Sequence, residues 1–85
     1  MFRVELTKSA EKDVCRLSKK DQGRIFRGLE SLKNDPFSGK KLQGPLEGLW
    51  SLRVWPYRII YEIQKKKILV TVIAVKQRKN VYKKY

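Results

Sequence analysis

The sequence predicts an α+β fold, with an N-terminal strand and a two-helix hairpin packed on one face of a mainly antiparallel four-stranded sheet. Three observations carry that expectation. Apolar residues recur at helical spacing between Thr7 and Asn34, the period changes to two from Leu49 onward, and a Gly/Pro-rich segment separates the two regimes. The chain has 85 residues, enough for one domain spanning 1–85 and too few for two.

The elements follow in order. Phe2, Val4 and Leu6 alternate with Arg3 and Glu5, which reads as a short opening strand. Thr7 or Ser9 can cap a helix in which Ala10, Val14 and Leu17 share a face, and Ser18-Lys19-Lys20-Asp21 has the form of a capping box for a second helix. There Ile25, Phe26, Leu29 and Leu32 form one apolar stripe, and Asn34-Asp35-Pro36 ends the helix because the residue before a proline avoids helical geometry. Phe37 to Gly48, punctuated by Gly39, Gly44, Pro45 and Gly48, reads as a connecting loop that carries Lys40 and Lys41. Strands are then expected over Leu49–Trp55, Tyr57–Ile63 and Ile68–Val75, with turns at Trp55-Pro56 and Lys65-Lys66 and a tail from Lys76 to Tyr85.

A two-residue turn at Trp55-Pro56 dictates a register. Val54 then faces Tyr57, Leu52 faces Ile59 and Trp50 faces Tyr61, all apolar or aromatic and all on the core side. The same register sets Arg53 directly opposite Arg58 on the other side. Like charges across a strand pair are destabilising, so the pairing makes little structural sense, whereas two adjacent guanidiniums make a bidentate phosphate clamp. The alternative is that each reaches solvent or pairs with Glu62 or Glu47. In the last strand Ile68, Val70, Val72 and Ala74 are expected on one face, and Leu69, Ile73 and Val75 on the other. A strand apolar on both faces needs cover on both, either from a partner's amphipathic helix or from the protein's own tail or loop. The tail interleaves Lys76, Arg78 and Lys79 with Tyr82, a pattern suited to phosphate contacts and base stacking on single-stranded nucleic acid.

Charge and composition bound the function. Lys and Arg number 21 against 8 Asp and Glu, a formal +13, which points to a polyanionic partner. The sequence has no histidine, which removes His-based nucleophile activation and His-ligated metal sites. Cys15 is the single cysteine, too few for a disulfide or a zinc site, and is expected to be a small buried residue on the first helix. The opening residues run straight into charged sequence, and no apolar stretch approaches the ~18 residues of a membrane helix. A cytoplasmic location without membrane association is therefore expected.

The order of elements, together with Leu46-Glu47-Gly48-Leu49-Trp50-Ser51-Leu52-Arg53-Val54, Tyr57-Arg58-Ile59-Ile60-Tyr61 and Val75-Lys76-Gln77-Arg78-Lys79-Asn80-Val81-Tyr82, resembles the RelE/ParE toxin superfamily over nearly the whole chain. The resemblance implies the toxin of a type II toxin–antitoxin pair, neutralised by a cognate acidic antitoxin that wraps the sheet face and helices. Its RelE branch implies an endoribonuclease (an mRNA interferase) that cuts messenger RNA at the ribosome without metal or cofactor, leaving a 2′,3′-cyclic phosphate and a 5′-hydroxyl. Positions matching Arg58 and Arg78 are then expected to hold and stabilise the phosphate, and Tyr82 to orient the substrate or stack on it. Lys40, Lys41, Arg53, Lys76 and Lys79 complete the expected RNA-binding set, and Lys40, Lys41 or Lys76 could supply the general base. Two alternatives stay open, a ParE-like inhibitor of DNA gyrase and a non-catalytic RNA-binding module.

Overall fold

The hydroxyls expected to start the helices do so. In the computed structural model, which describes residues 1–77, Thr7 Oγ1 accepts from the Ala10 amide at 3.1 Å and opens α1 (Lys8–Cys15). Ser18 Oγ accepts from the Asp21 amide at 3.2 Å and opens α2 (Lys19–Asn34). Each cap satisfies one of the N–H groups that a helix start leaves without an internal partner, a contribution of about 1 kcal/mol. The corner between the helices is pinned by Gln22, whose Nε2 donates to the Val14 carbonyl at 3.0 Å and to the Leu17 carbonyl at 3.3 Å. Those are carbonyls near the end of α1, where helical partners run out.

Among the described residues the sheet has five strands, one more than expected: β1 (Arg3–Leu6), β2 (Lys40–Lys41), β3 (Trp50–Val54), β4 (Tyr57–Gln64) and β5 (Leu69–Gln77), in the order β1-β5-β4-β3-β2. The extra strand is the Lys40–Lys41 edge, which pairs antiparallel with Ser51 and Trp50 inside the segment expected to be loop. β1 lies parallel to β5 and the other pairings are antiparallel. The β3–β4 register is the expected one, with Trp50 opposite Tyr61, Leu52 opposite Ile59, Arg53 opposite Arg58 and Val54 opposite Tyr57. β5 begins one residue later than expected, because Ile68 closes the Lys65–Lys67 turn with φ +51°, left-handed backbone that no strand residue adopts.

The helices cover one face. Ala10, Val14, Ile25, Leu29 and Leu32 pack on Tyr57, Ile59, Tyr61, Val70, Val72 and Val75. Fully burying one such aliphatic side chain contributes roughly 1.5–3 kcal/mol. Phe26, expected in that stripe, is 52% exposed, and Cys15, expected buried, is also exposed. Gly28 lets α2 approach the sheet, since a Cβ there would lie 2.8 Å from Val54 Cγ2.

One irregularity re-sorts β5. A register shift at Ile60/Tyr61 pairs Ile60 with Ala74 but Tyr61 with Val72, so Ile73 is the extra residue of a bulge. Val70, Val72 and Val75 therefore join the helix-side core, while Ala74 turns to the far face with Ile60 and Leu42. Strict alternation had grouped Ala74 with Val70 and Val72. Leu46 and Leu49 pack against that second cluster, so the chain's own 42–49 segment covers this part of the far face.

Candidate functional site

Three cations occupy one register row across the far face. Arg53 on β3 is paired with Arg58 on β4, and Arg58 is paired with Lys76 on β5. Adjacent strands lie roughly 4.8 Å apart, so the row gathers positive charge within the reach of one or two phosphate groups.

The three side chains stand in different states. Arg53 is exposed, and its guanidinium carbon sits 5.8 Å from the centroid of the Trp55 ring. Arg58 is half-buried, and its Nε is a buried donor with no hydrogen-bond partner among the described residues. An unmet buried donor of a charged group costs more than an ordinary lost hydrogen bond, so an anionic acceptor arriving there is favoured. Lys76 is already engaged, because its Nζ donates to Asp13 Oδ1 at 2.9 Å. The other oxygen of Asp13 accepts from the Val75 amide at 3.0 Å. Side-chain exposure is 6% for Asp13 and 18% for Lys76, so this is an ion pair largely withdrawn from water.

The pair also explains how α1 meets the sheet. β1 pairs with β5 only as far as Leu6 opposite Val72. Beyond that point Thr7 Oγ1 donates to the Ile73 carbonyl at 3.2 Å, and Asp13 takes the Val75 amide. Two α1-side side chains thus satisfy backbone groups at the β5 edge that a longer β1 would have paired.

The lysines of β2 part company. Lys40 pairs with Ser51 and shares the face of the arginine row, whereas Lys41 pairs with Trp50 and sets its Nζ 5.9 Å from that ring on the helix side. Ser51, 2% exposed, has a buried hydroxyl with no hydrogen-bond partner among the described residues, two positions along β3 from Arg53. A groove lined by Lys40, Lys41, Leu42, Gln43 and Leu46 runs along this edge. A second hollow, at the β5 end, is lined by Asp13, Arg16, Ser18, Tyr57, Lys76 and Gln77 among others.

The two described tyrosines of the motif are structural. Tyr57 donates to Asp21 Oδ2 at 2.7 Å, and this hydrogen bond, with burial, raises its pKa. Tyr61 is fully buried and donates to the Pro36 carbonyl at 2.6 Å, and burial pushes its pKa up to about 12. Gly39 makes room for that hydroxyl, since a Cβ there would collide with Tyr61 Oη and lie 2.8 Å from the Ser51 carbonyl.

Of the expected site residues, the fold brings Arg53, Arg58, Lys76 and Lys40 to one face and sends Lys41 to the other. Arg78, Lys79 and Tyr82 lie outside the described residues. Sequence reasoning missed Asp13, Ser51 and Trp55. No periodicity marks a single acid on a short helix as the partner of a lysine 63 positions away.

Comparison with known proteins agrees with this architecture. The family described as the ParE toxin of the type II toxin–antitoxin system parDE matches residues 4–82. The chain is similar to a chain in the crystal structure of the RelBE2 toxin–antitoxin complex of Mycobacterium tuberculosis, at 26% identity and TM-score 0.86, covering 91% of this chain and 98% of that one. It is similar to a chain of the archaeal RelE–RelB complex of Pyrococcus horikoshii, at 27% identity and TM-score 0.77, covering 91% and 94%. The isolated RelE toxin of E. coli shares the fold at 20% identity and TM-score 0.77, covering 99% and 94%. No curated protein sequence matches.

Proposed function

The chain belongs to the ParE toxin family of type II toxin–antitoxin systems, and from that premise we propose that it is an endoribonuclease toxin that cuts messenger RNA, at the ribosome, without a metal. The single observation behind this reading is the buried Nε of Arg58, without a hydrogen-bond partner among the described residues and set between Arg53 and Lys76 in one register row. That is a preorganised cationic seat for a phosphodiester. The 2′-hydroxyl attacks the adjacent phosphorus, the bond to the 5′-oxygen breaks, and the products are a 2′,3′-cyclic phosphate and a 5′-hydroxyl. Negative charge grows on the non-bridging oxygens as the pentacoordinate state forms. A guanidinium already in place stabilises that state more than the ground state.

Arg78 shares the phosphate role in this reading, Tyr82 holds the substrate, and Lys79 adds backbone contacts. Lys76 is held by Asp13 and Lys41 stands on the helix side. Lys40, on the Arg58 face, adds a further cation toward the phosphates, and the 2′-hydroxyl proton passes to solvent. The 5′-oxygen takes a proton from solvent as it departs. An acidic antitoxin suits a partner of formal charge +13, and complexes with an antitoxin are what the similar M. tuberculosis and P. horikoshii structures contain. A cytoplasmic site of action goes with a messenger RNA substrate, and no helix among the described residues is long and apolar enough to cross a membrane.

The test is induction of the chain in cells without an antitoxin, followed by mapping of new RNA 5′ ends. Codon-phased cuts that fall about 10²–10³-fold in Arg58→Ala, the usual effect of removing one preorganised charge stabiliser, support the proposal. Inhibition of DNA gyrase is the second reading, favoured by the match to the parDE toxin family. Intact RNA accompanied by gyrase-linked DNA breaks would establish it in place of the first.

A further inference from the structure

Two buried side-chain polar atoms lack a hydrogen-bond partner among the described residues, Arg58 Nε and Ser51 Oγ. They are neighbours. Arg58 stands opposite Arg53, and Ser51 lies two positions before Arg53 on β3, so all three share the far face. Ser51 and Arg58 are then diagonal across the strand pair, roughly 7–8 Å apart and within reach of a long side chain. Buried polar groups are nearly always paired, because leaving one unmet costs stability. Two adjoining exceptions mark a place where a ligand completes the bonding.

The two groups differ in what they can take. A guanidinium N–H only donates, whereas a serine hydroxyl both donates and accepts. A phosphate oxygen only accepts, whereas a ribose 2′-hydroxyl does both. In RNA these last two stand on adjacent carbons of one sugar, and DNA lacks the second. We propose that Ser51 is the RNA-selecting contact of the site, its hydroxyl accepting from the 2′-hydroxyl beside the phosphate seated at Arg58, an assignment that rests on the RNA reading above. Lys40 pairs with Ser51 from the β2 side and opens onto the groove along that edge, so a strand crossing from the arginine row to the groove passes Ser51. The Ser51 hydroxyl is shielded in the free chain and is uncovered on binding. The segment beside it is placed to yield. Leu46 packs only partly buried against the cluster that holds Ile60, the register partner of Ser51. Leu46 is carried between Gly44 and Gly48, both in left-handed backbone at φ +66° and +95°, where a Cβ would meet nothing within 4 Å.

The experiment is equilibrium binding of the full chain to two trinucleotides, each ending in a 3′-phosphate and so carrying no 5′-oxygen to expel at the last nucleotide. The first two sugars are 2′-O-methylated, and the last is ribose in one ligand and 2′-deoxyribose in the other. The wild type should prefer the ribose strand about 2- to 12-fold, the equivalent of one net hydrogen bond. Ser51→Ala should abolish that preference by weakening the ribose strand alone. It should leave the thermal midpoint of the free chain unchanged or raised, since a buried hydroxyl without a partner stabilises nothing. Arg58→Ala should weaken both strands. A Ser51→Ala variant that keeps the preference, or that weakens both strands equally, overturns the assignment. So does a fall in the thermal midpoint, which would show that the hydroxyl is already satisfied in the free chain. If the wild type binds both strands alike, the 2′ contact is refuted while the phosphate seat stands. If it binds neither, the RNA reading itself falls and the role of Ser51 with it.

Discussion

Tyr61 shows how much one side chain carries in a domain this small. Its ring stacks near Trp50 at 6.4 Å between centroids, and its hydroxyl anchors the Pro36 carbonyl across a gap that only glycine at position 39 leaves open. Its pKa, raised by burial from 10.0 to about 12, sets a pH window. The folded pKa lies above the unfolded one, so the stabilisation is complete below about pH 10 and is lost as pH rises through about 12. Thermal unfolding of the wild type should therefore steepen its decline across that window relative to Tyr61→Phe. Below it the variant should be about 1–2 kcal/mol less stable, with the Pro36 carbonyl unmet. Parallel pH profiles for the two proteins would sink this account. At this scale the opposition of Arg53 and Arg58 was legible in the sequence, because a period of two and an apolar partner set leave one register. Ser51 and Asp13 were not, since burial of a polar residue depends on what the fold lays over it.

Among the elements, α1 does more than cover the core. Through Asp13 it substitutes for a strand at the edge of β5 and holds Lys76, the last cation of the register row. Asp13→Asn should destabilise the chain by about 2 kcal/mol, below the 3–5 of a fully dry pair because Lys76 keeps some contact with water. Lys76→Met should cost at least as much, because it leaves the more deeply buried Asp13 carboxylate without its counter-charge. Denaturant melts of the two single variants and the double variant measure the coupling, and additive effects would show that the ion pair contributes nothing. The helices were readable from caps and apolar spacing, and three strands from alternation. β2 was not, because two lysines between turn residues carry no period. The bulge at Ile73 was equally hidden, since in an uninterrupted apolar run an extra residue changes no visible pattern. The extent of the second cluster, where Leu42, Leu46 and Leu49 close over Ile60 and Ala74, follows from that bulge and was hidden with it.

For the whole molecule, a formal charge of +13 gives attraction, while placement decides which charges act. In the proposed complex Lys40, Arg53, Arg58, Arg78 and Lys79 meet phosphates, and Lys76 is spent on Asp13. Five phosphate contacts on a single strand give a log–log salt slope of about −3.5, or roughly a hundredfold loss of RNA affinity between 50 and 200 mM salt. A slope much steeper than −5 in a filter-binding titration would mean that the charge acts diffusely and the row has no special standing. The sheet order has a consequence of another kind. Among the described residues β1 pairs with β5 alone, so residues 3–6 wait for residues 69–72 before they can pair. During synthesis β1 must stay unpartnered until β5 is translated, and long-range pairing of this sort is slow to form. The sheet therefore closes only after β5 has emerged, and the cation row, whose Lys76 lies on β5, is assembled no earlier.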